Sequence, residues 1–155
     1  MKLSIEPRKA SAEDVAEIYA ITGTNGADNG IDRLIDLMAN NGQAFYRSTK
    51  EMIAQGPGGF IGTNDVVLIK VNSQWGERGG TNNALVSSII RVILDHPEGW
   101  TGEIIVADNG QAQYGGAGKG GSLDWPMNNA LQKTLSAQKV GDMYATKKKV
   151  SSCLW

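Results

Sequence analysis

The chain is poor in the residue types that build the commonest metal and nucleophile sites. Its 155 residues include a single cysteine, Cys153, and a single histidine, His96. One cysteine excludes an internal disulfide and the paired cysteines of zinc or iron–sulfur sites, so we expect no iron–sulfur cluster in this chain. One histidine excludes a histidine-rich metal site, and a serine–histidine catalytic pair would have to use His96 itself.

The chain also lacks an excess of charge and a long apolar run. Fifteen basic and 16 acidic residues give a net charge of -1, which argues against a general nucleic-acid binder, because such proteins are visibly basic. No run of about 18 apolar residues is present, so we expect no membrane span. Residues 1–16 are charged and without the apolar core of a signal peptide. This predicts a cytoplasmic location, although removal of a signal peptide would leave the same sequence.

Glycine, in contrast, is abundant. The 20 glycines are about 13% of the chain, against a usual level of about 7%. They cluster in loops without a collagen-like period, so they mark turns and close backbone approaches. With 41% hydrophobic residues, the length suits one domain with one sizeable core. We therefore expect a single α/β domain over residues 1–155.

A strand, a glycine-rich loop, a helix and a second strand follow one another between residues 66 and 109. Residues 66–69 and 104–107 are unbroken apolar runs, as expected for strands buried on both faces. Residues 85–93 between them have apolar side chains at helical spacing. A right-handed crossover makes the two strands parallel. The pattern predicts an α/β fold with a mainly parallel sheet and helices on both faces, a Rossmann-like three-layer arrangement with these strands near its centre.

Weaker patterns predict the remaining elements. A run rich in β-branched and aromatic residues predicts a strand at 15–21. Apolar residues at i, i+3, i+4 and i+7 predict a helix over 31–38 that ends before Gly42. The further predicted segments are a helical piece at 45–55, a helix at 128–138 and the beginning of a strand at 150–155.

Polar residues stand at the carboxyl ends of the two central strands and in the loops beside them. Because the carboxyl ends of parallel strands share one edge, and ligands of open α/β sheets bind outside that edge, we expect these side chains to converge. The candidate ligand-binding residues are Lys70, Asn72, Gly80, Thr81, Asp108, Asn109 and Lys119.

Each of these residue types has a chemical reason to bind a ligand. Lys70 offers a cation for a phosphate or carboxylate, and Thr81 precedes a helix N-terminus, which favours anions. Asn72 and Asp108 offer oxygen ligands for a hard cation such as Mg²⁺. A structural interpretation competes with this one, because Thr81 can cap its helix while Asn72 and Asp108 close turns.

A second glycine-rich segment, residues 116–121, fits the letters Gly-x-Gly-x-x-Gly. It lacks the strand directly before it and the helix directly after it that a dinucleotide-binding fingerprint needs. Because it lies in a long loop, we interpret it either as a segment that closes over a ligand, with Lys119 as an anion contact, or as a flexible surface loop.

The strand-end motifs resemble the family catalogued as domain of unknown function 362. The resemblance rests on residues 67–72, on Gly80-Thr81, on Leu85-Val86 and on residues 106–108, with Val71 in place of the family's proline. It implies an α/β fold, and it implies a partner that carries iron–sulfur clusters, since the family often occurs beside ferredoxin-type domains. Family domains run longer, which implies that this chain is incomplete at its C-terminus.

Three classes of function follow. The first is a small-molecule or anion site, with or without a divalent cation such as Mg²⁺, at the carboxyl ends of strands 66–70 and 104–107. The second is an accessory module of an iron–sulfur redox system. The third is a non-catalytic interaction or structural domain. The residues name neither a substrate nor a reaction, so whether the chain is an enzyme stays open.

Overall fold

Three helices and five short strands are present in the part of the chain that the structure describes. The structure, a computed structural model, describes residues 16–73, 80–109, 123–124, 132–146 and 149–154. In chain order the elements are α1 (Gly30–Asn40), β1 (Tyr46–Arg47), β2 (Gln55–Gly56), β3 (Val66–Lys70), α2 (Asn83–Leu94), β4 (Glu103–Asp108), α3 (Ala137–Ala145) and β5 (Lys149–Leu154). This combination of helices with parallel strands confirms an α/β architecture.

The main sheet contains β3, β4 and β5, all parallel, with β4 in the middle. In its register Lys70 lies beside Ala107, and Asp108 lies beside Leu154. The backbone N–H of Val71 donates to the carbonyl of Ala107, which extends the β3–β4 pairing beyond the strand. The predicted parallel pair is therefore confirmed, although only β4 has a neighbour on each side among the described strands.

One face of this sheet packs against α2 and α3. The core between them includes Ile90 of α2, Ile104 and Val106 of β4, and Val140 of α3, none of which is exposed to solvent. Helix α1 packs against α2 instead of the sheet, through Ile35 and Val92. Burial of these apolar side chains, worth about 1.5–3 kcal/mol for each large one, holds the helices on this side of the sheet.

The opposite face of the sheet is largely open in the described part of the chain. Val66 and Leu68 are 67% and 59% exposed, whereas Val67 and Ile69 point towards the core. The expectation that β3 is buried on both faces is therefore wrong, because an unbroken apolar run marks a strand without showing what covers each face. Helices on both faces, the three-layer arrangement, are not confirmed.

The short two-stranded sheet replaces a predicted helix. The prediction of helix over 45–55 is wrong, because β1 pairs with β2 and the chain turns tightly between Met52 and Gln55. Backbone N–H groups of Tyr46 and Arg47 donate to the distant carbonyls of Ala54 and Ile61. These long-range bonds outweigh a weak local helical preference.

Other predicted boundaries change as well. Residues 16–21 form no strand, and Ile18 is 90% exposed. Of the helix predicted at 128–138, residues 128–131 lie outside the described residues, and α3 begins only at Ala137, after the capping residue Ser136. The helix predicted over 31–38 and the strand predicted near the C-terminus are confirmed as α1 and β5. No helix in the described ranges is long and apolar enough to cross a membrane.

Candidate functional site

The carboxyl ends of β3 and β4 bring Lys70 and Asp108 together, 38 positions apart in sequence. The Nζ atom of Lys70 lies 2.7 Å from Oδ1 of Asp108. The two side chains differ sharply in exposure, at 49% for Lys70 and 2% for Asp108. The lysine side chain is therefore half exposed, while the carboxylate that it pairs with is buried.

Four donors surround the Asp108 carboxylate. Oδ1 accepts from Nζ of Lys70 and from the backbone N–H of Asn109, at 2.9 Å for the latter. Oδ2 accepts from the backbone N–H of Ser73 at 2.9 Å and from its hydroxyl at 2.6 Å. A buried charge is stable only when it is paired and hydrogen-bonded, and this one is bonded at both oxygens.

These contacts fix the protonation of Asp108. Burial raises the pKa of its carboxyl, but the hydrogen bonds from Lys70 and Ser73 and the charge of Lys70 outweigh burial and lower the pKa below its ordinary value. Asp108 is therefore ionised at neutral pH and is a weak base. Such a carboxylate is poorly suited to remove the proton of the Ser73 hydroxyl, so the arrangement does not favour a serine nucleophile.

A second pair of bonds joins the end of β3 to the approach to α2. The backbone N–H of Asn72 donates to Oγ1 of Thr81 at 2.7 Å, and the N–H of Thr81 donates to the carbonyl of Asn72 at 3.0 Å. The structural interpretation had Thr81 as the cap of this helix, but Thr81 does not cap it. Asn82 is the cap, since its side chain accepts from the N–H of Leu85.

The structure thus brings together most of the candidate residues. Lys70, Asp108 and Asn109 share one network, and Asn72 and Thr81 form a bonded pair directly beside it, preceded by the buried Gly80. Lys119 lies outside the described residues. Binding of a ligand by any of these residues stays a prediction.

Ser73 is the residue that sequence reasoning missed. It supplies two of the four donors to Asp108. The sequence favours the neighbouring Asn72 instead, because an amide oxygen is a common metal ligand. A general signal existed, because serine hydroxyls often form hydrogen bonds in the turns that follow strands, but it does not name Asp108 as the partner.

The arrangement of these side chains does not favour a metal ion. A divalent cation at the proposed ligands Asn72 and Asp108 would have to displace Lys70 or an N–H group from a carboxylate that already accepts at both oxygens. Within the described ranges no group of three or more His, Cys, Asp or Glu residues could hold a metal.

His96 has a structural environment. It is 3% exposed, its Nε2 lies 3.2 Å from the carbonyl oxygen of Ile61, and its ring packs edge-on against Tyr46. It follows the C-terminal end of α2, which is remote from the carboxyl ends of β3 and β4. Because His96 is the single histidine of the chain, no serine–histidine pair forms at that edge.

No family model, curated protein or solved structure matches this chain. Membership in the family catalogued as domain of unknown function 362 therefore stays a prediction from the strand-end motifs. Any proposal for function has to come from the geometry of the residues themselves.

Proposed function

We propose that this chain is a small-molecule-binding domain that holds an anionic group, a phosphate or a carboxylate, at the carboxyl ends of β3 and β4. Lys70 provides the cation. The observation that carries the proposal is the position of its ammonium, which is anchored to Asp108 and to the carbonyl of Val71 while the side chain stays half exposed.

Anchoring makes Lys70 a better binding group than an ordinary surface lysine. A lysine loses considerable side-chain entropy when a ligand immobilises it, and here the protein has already ordered the side chain. An ammonium has three N–H donors. Among the described residues its bonds to Asp108 and Val71 use two of them, which leaves a third N–H for a ligand.

The difference in burial between the negative and the positive side chain also favours an anion. The negative charge of Asp108 is buried and bonded by four donors, whereas the Lys70 side chain, which carries the positive charge, is half exposed. Helix α2 begins beside the same edge, and its N-terminus adds a partial positive charge there. The proposal does not depend on helices covering both faces, since the crossover alone brings these groups to one edge.

A non-catalytic interaction domain is the second candidate. It is favoured by the open face of the main sheet, where Val66 and Leu68 are more than half exposed, because parallel sheets are usually covered on both faces. Sedimentation over a range of protein concentrations tests it, with Leu68→Ser as the variant. If the protein is a monomer at every concentration, the hypothesis that it self-associates through this face is refuted. The accessory role in an iron–sulfur system rests on the resemblance alone.

Calorimetric titration tests the anion site. Inorganic phosphate, pyrophosphate and citrate are titrated at constant ionic strength, with MgCl₂ alone as a separate titrant. We expect saturable binding of at least one anion and a loss of at least tenfold in affinity for Lys70→Met. Lys50→Met removes an exposed lysine elsewhere on the surface and should leave the affinity unchanged.

Circular dichroism establishes that both variants are folded before they are compared. A ligand that binds only the native state, at 100 times its dissociation constant, adds about 2.7 kcal/mol of stability, so a melting series gives an independent readout. Absence of binding by all three anions, or equal affinity of wild type and Lys70→Met, would refute the proposal.

A further inference from the structure

A cavity lies between α2, α3 and the loop that precedes α1. Its volume is about 520 Å³, within the range of roughly 300–1,000 Å³ that is typical of small-molecule sites. Residues 84, 87, 88 and 91 form one side of it, and this i, i+3, i+4, i+7 spacing places them on a single face of α2. None of the residues at the strand-end edge lines this cavity.

Hydrogen bonds to α2 hold each wall of the cavity in place. The Ser88 hydroxyl donates to the carbonyl of Gly26 at 2.7 Å, which fixes the loop before α1. The Asn83 side-chain amide donates to the carbonyl of Leu135 at 2.7 Å, which fixes the turn before α3. Both bonds are buried. The cavity is therefore formed before any ligand arrives, which lowers the entropic cost of binding.

Much of the cavity lining is small or apolar. Ala84 and Ser88 present small side chains on α2, and Leu135 adds a buried apolar side chain. Met143 of α3 also lines the cavity and is 54% exposed, although it is a large apolar side chain. An apolar ring suits this lining, and the thioether of methionine contacts aromatic rings favourably.

Polar groups stand at two points of the lining. The hydroxyls of Tyr144 and Ser87 lie 2.9 Å apart and join α3 to α2. Each hydroxyl oxygen has two lone pairs, so the pair can accept a hydrogen bond from a ligand. The guanidinium of Arg91 offers a planar cation on which an aromatic ring can stack.

The charges around Arg91 decide which kind of ligand fits. Its guanidinium lies 2.5 Å from Asp32 and 3.6 Å from Asp95, so two carboxylates surround one cation. An anionic ligand would meet a local excess of negative charge here, in contrast to the strand-end edge. An uncharged ligand escapes that repulsion and still contacts the face of the guanidinium.

We propose that this cavity binds a small uncharged aromatic molecule of one or two rings, which lies between Met143 and Arg91 and donates a hydrogen bond to the Tyr144–Ser87 hydroxyl pair. This site is separate from the anion site and goes beyond the proposed function.

A matched pair of probes tests both shape and charge. The fused aromatic alcohol 2-naphthol is uncharged at pH 7, and 2-naphthoate has the same rings with a carboxylate. Binding to the full chain is measured by calorimetry and by ligand-observed NMR. We expect 2-naphthol to bind saturably with one site per chain, and 2-naphthoate to bind at least tenfold more weakly.

Ala27→Trp locates the binding. Ala27 is an exposed residue that lines the cavity, so an indole at this position fills the entrance without changing the core. We expect it to weaken 2-naphthol binding at least tenfold and to leave phosphate binding unchanged, which separates this site from the anion site. Ala20→Trp places the same indole at an exposed position outside the cavity lining and should change neither.

Three results would overturn the proposal. The first is no saturable binding of 2-naphthol to the wild type. The second is equal affinity of wild type and Ala27→Trp, with both shown to be folded by circular dichroism. The third is binding of 2-naphthoate at least as tight as that of 2-naphthol, which would refute the assignment of an uncharged ligand.

Discussion

Ser73 donates both its backbone N–H and its hydroxyl to a single oxygen of Asp108, at 2.9 Å and 2.6 Å. The two residues are 35 positions apart: Ser73 follows β3, and Asp108 is the last residue of β4. The main chain after β3 is thus fastened to the end of β4. With Lys70 on the other oxygen, Asp108 joins the last residue of β3 and the segment after it to β4.

The first prediction concerns the stability that this carboxylate provides. Asp108→Ala removes the acceptor of the partly buried donors of Ser73 and Asn109 and the charge partner of Lys70. We expect the free energy of unfolding to fall by about 3 kcal/mol, measured by urea denaturation. Asp142→Ala, which removes an exposed carboxylate from α3, should change it by less than about 0.5 kcal/mol. Equal effects would show that the Asp108 network contributes no stability.

The second prediction concerns pH. The folded state lowers the pKa of Asp108, so its ionised form stabilises the fold above the ordinary carboxyl pKa of about 4. That stabilisation disappears as the pH falls through the lower, folded-state pKa. We expect the stability difference between wild type and Asp108→Asn to be constant from pH 7 to pH 5 and to shrink below about pH 4. A difference that grew on acidification would contradict the stated cause.

The third prediction separates two roles of Asn82. Its side-chain oxygen accepts from the N–H of Leu85 at 3.1 Å, while its amide nitrogen donates to the carbonyl of Asn25, also at 3.1 Å. Asn82→Ala removes both bonds and should cost about 1–2 kcal/mol. Asn82→Asp keeps the capping oxygen, adds a charge that suits the helix N-terminus, and should stay within about 0.5 kcal/mol of wild type. A large loss for Asn82→Asp would assign the stability to the Asn25 bond instead.

The fourth prediction compares two adjacent glycines. A Cβ atom at Gly59 would overlap the backbone of Tyr46 and Arg47, whereas a Cβ atom at Gly58 meets open space. Gly59→Ala should therefore lower the free energy of unfolding by about 2–3 kcal/mol. Gly58→Ala should leave it unchanged or raise it by about 0.5 kcal/mol, because the unfolded chain loses freedom. Similar melting temperatures for the two variants would rule out the close approach of Gly59 to β1.

The parallel pairing of β3 and β4 could be predicted from the sequence, because it follows from the order of strand, helix and strand along the chain. The apolar runs at 66–69 and 104–107, separated by a helical pattern, predicted parallel neighbours whose polar ends converge. The structure has the two strands parallel and pairs Lys70 with Asp108 at that edge. The side chain that completes the site was harder to find. Ser73 could be assigned to Asp108 only once the direction of the chain after β3 was known.

The exposed face of β3 and the segment 45–55 show the opposite situation. The burial of Leu68 depends on which side of the sheet the helices occupy, and its apolar character is the same in either case. The backbone of Tyr46 pairs with Gln55 and Ile61, partners that no local preference of residues 45–55 reveals.

The two bonds between Asn72 and Thr81 have a consequence for how this molecule could change over time or by engineering. Asn72 contributes only its backbone N–H and carbonyl to them, whereas Thr81 contributes its hydroxyl as well as its N–H. Replacement of the Asn72 side chain would therefore leave both bonds in place, and replacement of Thr81 would remove one. Position 72 can vary in side-chain chemistry while the connection between the end of β3 and the start of α2 is kept.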